Sequence, residues 1–378
     1  MPEATTPLRV IHATECLAAG TLQVMCTLTQ VLDTAGARQT VLYSRRAESP
    51  SDVAALFPAG IKLIEVPRAG GHHLAFVRGF MRALKHECAQ WNPSHVHLHS
   101  SKAGFLGRYA LRRDRHIQVL YSPHGLSFLD TARPVNNAFR YGLERVASLW
   151  DAMPVACGPG EGKLLSRLAG RNAFVLENPV DDAFFSVSEA ARRGGTIVTV
   201  GRISRQKAPE RYADVARRVL KERPDVRFIW VGDGDPQGRE LLEAAGCEVT
   251  GWVDRQGVLD ALAQADIYLQ TSRWEGMPLS VIQAMAAGLP CVVTDVIGNR
   301  DAVVHAVTGY VTVDEADMAE RTTALLDDSA RRFEQGAAAR DAARNRFSAR
   351  VFAARAQVLY GLQQSMEPYW TQPVYASA

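Results

Sequence analysis

The stretch DIYLQTSRWEGMPLSVIQAMAAGLPCVVTDV, residues 266–296, decides how the chain folds. Two apolar runs, 266–272 and 290–296, flank a Gly- and Pro-containing turn and a helical segment over 279–287. Strand, turn, helix and strand make the repeating unit of a parallel sheet, because parallel neighbours need a crossover long enough to hold a helix. The turn places Glu275 and the amides of Met277, Leu279 and Ser280 at the start of that helix, next to Pro278. Backbone N–H groups at a helix N-terminus are where α/β proteins hold anions and hydroxylated ligands. Gln283 lies one turn into the helix and can face the same pocket as Glu275.

The same alternation runs outward in both directions. Toward the N-terminus, strands are expected at 8–14, 39–44, 62–67, 95–100, 117–124, 153–158 and 173–180, with helices at 21–36, 73–90 and 101–113. A second series starts at TIVTVGR (196–202) and continues with a helix at 207–222, RFIWVGDG (227–234), a helix at 236–246, EVTGWV (248–253) and a short helix at 255–263. The reading is α/β: two Rossmann-like, doubly wound domains facing a cleft. The first spans 1–185 and the second 195–350, joined by a linker near 183–195. A terminal helix and tail, 351–378, can cross back to the first domain.

Composition bounds the rest. Of 378 residues, 47% are hydrophobic and 22% charged, as in a globular protein with sizeable cores. MPEATTPLRV has no signal-peptide character, and no apolar run approaches the roughly 20 residues that span a bilayer. The six cysteines are scattered without a CxxC, so a reduced, cytoplasmic protein with no disulfide framework and no metal cluster is expected. Residues 1–180 carry 20 Lys and Arg against 13 Asp and Glu, and the remainder 23 against 27. A basic N-terminal half fits anionic partners such as lipid headgroups or a lipid diphosphate. HHLAFVRGFMRALKHECAQW (72–91) fits either a basic amphipathic helix on a membrane or a half-buried helix of a globular domain. RYALRRDRH (108–116) adds basic charge and weighs toward the membrane surface.

Several turns carry chemistry. Gly20, in TECLAAGTLQ (14–23), lets a ligand approach a helix N-terminus, but the missing GxGxxG argues against a nicotinamide dehydrogenase. In VGRISRQKAPE (200–210), Arg202 ends a strand and Lys207 stands where a helix begins; two such cations beside a helix N-terminus suit a diphosphate. Glu275 can accept from sugar hydroxyls, and the Gln283 amide can pair with a ribose diol. In the first half, His124 of YSPHGLSF lies at a strand end, and HLHSSKAG places His99, Ser100 and Lys102 at another, with Lys102 able to meet a phosphate.

GRISRQK, VGDGD, Gly251-Trp252-Val253 and SRWEGMPLSVIQAMAAGLPCVVTDVIGNRDAVVHAVTGYV together resemble the retaining family-4 glycosyltransferases of the two-Rossmann GT-B fold, with the likeness strongest over 196–312. That family carries Glu, seven residues, Glu; here the pattern reads Glu275, seven residues, Gln283, a departure that bears on ribose binding.

The resemblance implies a sugar transfer from a nucleoside diphosphate sugar to a hydroxyl acceptor, with retention, in surface polysaccharide or lipid-linked oligosaccharide synthesis. It implies that Glu275 holds the donor sugar, Gln283 the ribose, and Arg202 and Lys207 the diphosphate, with the turn from Met277 to Ser280. Trp252 and Val253 would meet the base through their backbone, and His124 would contact the donor sugar. Protein cations would neutralise the leaving diphosphate, so no metal cofactor is expected, and VGDGD is read as a structural turn. The expected chemistry is front-face displacement without a covalent nucleophile. The first domain would serve the acceptor, lipid-linked or otherwise, with peripheral contact to the inner face of the membrane and no nucleic acid. A nucleotide-sugar epimerase of the same fold and a non-catalytic sugar-nucleotide-binding protein are the alternatives.

Overall fold

The computed structural model describes residues 7–363, apart from 18, 47–48, 69–72, 131–133, 191 and 193. Ala18, the first residue of the segment 72–91, and the tail beyond 363 lie outside the described residues. Among the described residues the chain divides into two compact units. One runs to Glu177 and resumes at Phe352; the other is Asn178–Val351.

The first unit is built on a parallel sheet of β1 (Arg9–Thr14), β2 (Arg38–Tyr43), β3 (Lys62–Glu65), β4 (His95–His99), β5 (Gln118–Ser122), β6 (Met153–Ala156) and β7 (Phe174–Val175), in the order β3-β2-β1-β4-β5-β6-β7. Its helices are α1 (Ala19–Thr34), α2 (His73–Trp91), α3 (Ser101–Leu111), α4 (Pro134–Ala147) and α5 (Pro159–Ala169). Successive residues of a strand face opposite sides. Ile11, Ala13, Val96 and Leu98 therefore pack on α2 and α3. Val10 and Leu120 pack on the other side against Val24 and Leu28 of α1.

The second unit holds α6 (Asp182–Phe185), β8 (Thr196–Val200), α7 (Pro209–Glu222), β9 (Arg227–Val231), α8 (Pro236–Ala244), β10 (Glu248–Val249), α9 (Arg255–Gln264), β11 (Ile267–Gln270), α10 (Leu279–Ala286), β12 (Cys291–Thr294), α11 (Ile297–Ala302), β13 (Gly309–Thr312), α12 (Glu315–Asp327) and α13 (Ser329–Phe347). Its parallel sheet runs β10-β9-β8-β11-β12-β13. Both sheets reverse direction beside their first strand, between β1 and β4 and between β8 and β11. In doubly wound folds, ligands bind beyond the strand C-termini at that switch point.

Three features depart from the sequence expectation. Residues 178–185, read as the end of the first domain, fold with the second unit: Val180 N–H donates to Phe347 O (2.7 Å) and Asn178 Nδ2 to Met277 O (2.9 Å). The expected linker is tied down as well, because Asp266 accepts from the N–H groups of Gly194, Gly195 and Thr196 at 2.9 Å each. The apolar face of α2 is core rather than surface: Phe76, Phe80 and Leu84 are buried in the first unit, leaving Arg78, Arg82 and Lys85 exposed.

The final helix, α14 (Ala349–Leu359), belongs to the first unit from Phe352 on. Phe352, Ala356, Leu359 and Tyr360 complete the core on the α1 side, and Arg355 pairs with buried Glu177 at 3.2 Å.

Candidate active site

In the second unit, β8 and β11 deliver two loops to one end of the sheet. Gly201 and Arg202 follow β8, and the chain turns through 204–208 into α7, with Ala208 in the left-handed region and Pro209 as first helical residue. Thr271, just past β11, donates to Lys207 O (2.9 Å), and Arg273 N–H donates to Gln206 O (2.8 Å). This stitching brings Lys207 Nζ to 2.7 Å from Glu275 Oε1, which also accepts from Ser272 Oγ at 2.7 Å. Gln206 Nε2 lies 3.4 Å from Glu275 Oε2 and donates to Trp274 O at 3.0 Å. A buried carboxylate thus holds a fixed position and a fixed counter-charge, and Lys207 and Glu275 act as one unit rather than as separate groups. Arg202 is exposed at the same end of the sheet.

The turn that carries Glu275 is braced from below. A Cβ on Gly298, in α11, would stand 2.4 Å from Gly276 O, so only glycine lets that helix abut the turn. Gln270 links the elements through Ser280 Oγ (3.0 Å), Tyr268 OH (3.2 Å) and Asn299 Oδ1 (3.1 Å). Asn299 in turn donates to Thr294 O at 3.0 Å. α10 begins after Pro278 with no side-chain cap, so its first N–H groups, at Leu279 and Ser280, stand where an anion would meet them. Gln283 is buried in α10. Trp252 and Val253 project outward, 66% and 38% exposed.

The GDG turn at 232–234 is structural in its packing. A Cβ on Gly232 would stand 2.3 Å from Gly201 O, and Asp233 O accepts from Ile203 N–H at 2.8 Å. Asp233 Oδ2 pairs with Arg239 at 3.0 Å.

The first unit's counterpart is a line of histidines at the β1–β4 switch. Because HVHLH alternates, His95, His97 and His99 share the face covered by α1 and α14. His99, expected at the acceptor surface, is fully buried: its Nε2 meets His12 Nδ1 at 3.3 Å and its Nδ1 meets His124 Nε2 at 3.0 Å. His97 bonds Tyr360 OH and Ser122 Oγ, each at 2.8 Å. Burial lowers the pKa of His12 and of His124 to about 4, and pushes His97 and His99 well down, so all four are neutral imidazoles at pH 7. His12, His97 and His99 also bring three ligand nitrogens within 4.8 Å of one another, a spacing a metal ion could use.

His124 stands in the left-handed region, followed by Gly125, whose N–H donates to Glu161 Oε1 at 2.9 Å. Glu161 Oε2 accepts from Cys157 N–H at 2.9 Å, and burial raises its pKa. Ser100 caps α3 by accepting from Ala103 N–H at 3.3 Å. Lys102 lies with Nζ 4.7 Å from the Phe76 ring centroid. It stands at the strand end with Glu15, Arg46 and Arg68, the two arginines pairing with Glu15. Gly20 lies in the first turn of α1.

Residues 194–328 match the family described as glycosyl transferases group 1, and residues 19–184 match glycosyltransferase family 4. Each half of the chain thus matches a glycosyltransferase family model. Among curated relatives, the Escherichia coli UDP-Gal:alpha-D-GlcNAc-diphosphoundecaprenol alpha-1,3-galactosyltransferase is 27% identical over 239 residues, covering 57% of this chain and 61% of that one. The putative glycosyltransferase EpsF of Bacillus subtilis is 27% identical over 274 residues, covering 67% and 69%. The match thus spans about three fifths of the E. coli protein's length. The sucrose-phosphate synthase of Thermosynechococcus elongatus superposes with a TM-score of 0.79 at 19% identity, covering 94% of this chain and 98% of that one. Anabaena Alr3699/HepE, in complex with UDP-glucose, gives 0.74 at 15% identity, covering 94% and 100%. At such identities the likeness is one of fold, and the fold is GT-B.

Sequence reading singled out Lys207, Glu275 and His124 but not the residues that hold them in place. Ser272, three residues before Glu275, was the nearest signal. His12, Gln39 and Glu161 carried none, since each acts through partners remote in sequence or on the far side of a turn.

Proposed function

We propose that the protein is a retaining glycosyltransferase that moves a sugar from a nucleoside diphosphate sugar to a hydroxyl of a lipid-linked or polysaccharide acceptor. The observation that carries this reading is the pairing of buried Glu275 with half-buried Lys207, 2.7 Å apart, beside the uncapped N-terminus of α10. The carboxylate accepts from donor hydroxyls, Gln283 from the ribose, and Arg202, Lys207 and the α10 amides take the charge that builds on the departing diphosphate. With protein cations in that role, transfer needs no metal. Front-face departure and attack on one side of the sugar give retention, with the leaving diphosphate helping to take the acceptor proton.

In the first unit, Lys102, Arg46 and Arg68 surround the single carboxylate of Glu15, leaving net positive charge at the strand ends for an acceptor phosphate. The E. coli relative takes UDP-galactose and a diphosphoundecaprenol-linked acceptor by its name, which makes UDP-sugars and polyprenyl diphosphate sugars the first pair to test.

A peripheral membrane contact fits α4 better than α2. Phe139 (67% exposed) and Val146 lie seven residues apart on one helix face, and Leu149 (73% exposed) follows just beyond the helix end. Arg112, Arg113 and Arg145 are exposed on α4 and on the segment after α3, an apolar stripe with basic neighbours suited to anionic lipid.

The test is to incubate the protein with UDP-, GDP- and ADP-sugars and a polyprenyl diphosphate-linked acceptor, with and without EDTA, and to read the new anomeric linkage by NMR. Transfer with retained configuration, undiminished by EDTA and lost in Glu275→Ala, is expected. Inverted product, or activity only with an added divalent ion, would overturn the mechanism.

A further inference from the structure

Gln39, His12, His99 and His124 form a hydrogen-bonded line whose direction the fold dictates. Gln39 Nε2 lies 2.9 Å from Thr29 O, and a carbonyl oxygen can only accept. The amide nitrogen must therefore face Thr29, which turns Gln39 Oε1 toward His12 Nε2 at 3.2 Å. That oxygen too can only accept, so His12 carries its proton on Nε2 and presents a lone pair on Nδ1. His99 Nε2, 3.3 Å away, must then be the donor, leaving a lone pair on His99 Nδ1. By the same step His124 donates from Nε2 across 3.0 Å, and its Nδ1 is left as an acceptor.

That last nitrogen is buried and has no hydrogen-bond partner among the described residues. Buried polar atoms are almost always paired, and an unpaired one costs stability that a fold rarely gives up without function. The reverse direction fails at its first step: it would set Gln39 Oε1 against Thr29 O, two acceptors facing each other. Burial keeps each imidazole neutral near pH 7, which preserves one proton per ring. His97 stays outside the line, because Tyr360 OH and Ser122 Oγ engage both of its nitrogens.

We propose that Gln39, His12 and His99 are positioning residues that lock His124 in its Nε2–H tautomer, so that its Nδ1 accepts a hydrogen bond from a substrate hydroxyl. The hydroxyl keeps its proton, so no charge is transferred along the line; the line supplies direction only. Tautomer control is a property of the folded chain, and only the kinetic arm below rests on the glycosyltransferase reading.

The test uses protein labelled with ¹⁵N-histidine and long-range ¹H–¹⁵N correlation spectra at pH 7, which report which nitrogen of each ring is protonated. His12, His99 and His124 are all expected in the Nε2–H form in the unaltered protein. Gln39→Leu removes the anchor, and His124 is expected to become a mixture of both tautomers. Gln39→Glu, as the neutral acid this buried site favours, can donate its O–H to Thr29 O and still accept from His12 Nε2–H, and is expected to retain the single tautomer. In transfer assays Gln39→Leu should lower kcat about fivefold, the worth of one hydrogen bond, with donor KM unchanged, and Gln39→Glu should restore it.

A proton on His124 Nδ1 in the unaltered protein overturns the proposal without any variant. So does stoichiometric zinc bound through His12, His97 and His99, since a metal would take the lone pairs that set the line's direction. An unchanged His124 spectrum in folded Gln39→Leu would equally remove Gln39 from the role. Correct tautomers without the kinetic split would leave the line standing and count against the proposed reaction.

Discussion

Acid should unfold the first unit selectively. Its histidines His12, His97 and His99 are buried and His124 is half-buried, all with lowered pKa values, and His95 is lowered too; the cause in each case is chiefly loss of water. In the unfolded chain each titrates near 6.5, so between pH 6.5 and about 4 the unfolded state binds more protons than the folded one. Stability must then rise with pH across that window. The contribution is fully present above pH 6.5 and is lost as pH falls toward 4.

At pH 5.5 an unfolded histidine is about nine-tenths protonated, whereas His12 and His124, at about 4, hold almost no protons. Each then costs about 1.4 kcal/mol, or about 3 kcal/mol for the two, and His97 and His99 add to the loss with the same sign. Against a domain stability of roughly 5–15 kcal/mol this is a large fraction. With a urea m-value of about 2 kcal/mol/M, the unfolding midpoint should drop by about 1.5 M or more between pH 7.5 and 5.5.

The second unit is the internal control, because His305 is the one histidine in its sequence and is exposed. Urea titrations read by hydrogen exchange on peptides from β1, β4 and β5, against β8 and β9, separate the two units. A first-unit midpoint that stays flat within about 0.3 M, or an equal fall in both units, would refute the reasoning.

Gly298→Ala should lower stability by about 1–3 kcal/mol and cut activity, because its Cβ would stand 2.4 Å from Gly276 O and displace the turn bearing Glu275; thermal melts and turnover should fall together, and a variant with normal melting and activity would show that the turn is not braced there. Replacing both Phe139 and Leu149 with Ser should weaken cosedimentation with anionic vesicles about tenfold or more, at about 0.8 kcal/mol per buried CH₂, without altering the melting temperature, since both side chains are exposed; unchanged sedimentation would move the membrane contact off α4.

Local pattern carried much of this molecule. The alternation of short apolar runs with helical segments announces two doubly wound sheets, since parallel strands need crossovers and buried strands need apolar faces on both sides. The turn at 275–278 and the cations at 202 and 207 stand out because their spacing places them at strand ends, where the fold puts its ligands. Period and turn chemistry reach only a few residues along the chain, however.

What the tertiary structure alone decided lies beyond that reach. α4, α5, α11, β13, α12 and α13 went unread, and α2 was open between surface and core until Phe76, Phe80 and Leu84 found the sheet. The pairing of Lys207 with Glu275 spans 68 residues, and that of His12 with His99 spans 87. The direction of the histidine line hangs on a carbonyl in α1. Parallel register joins strands that are distant in sequence, so which side chains meet across it is settled only when the sheet forms and each face receives its helix.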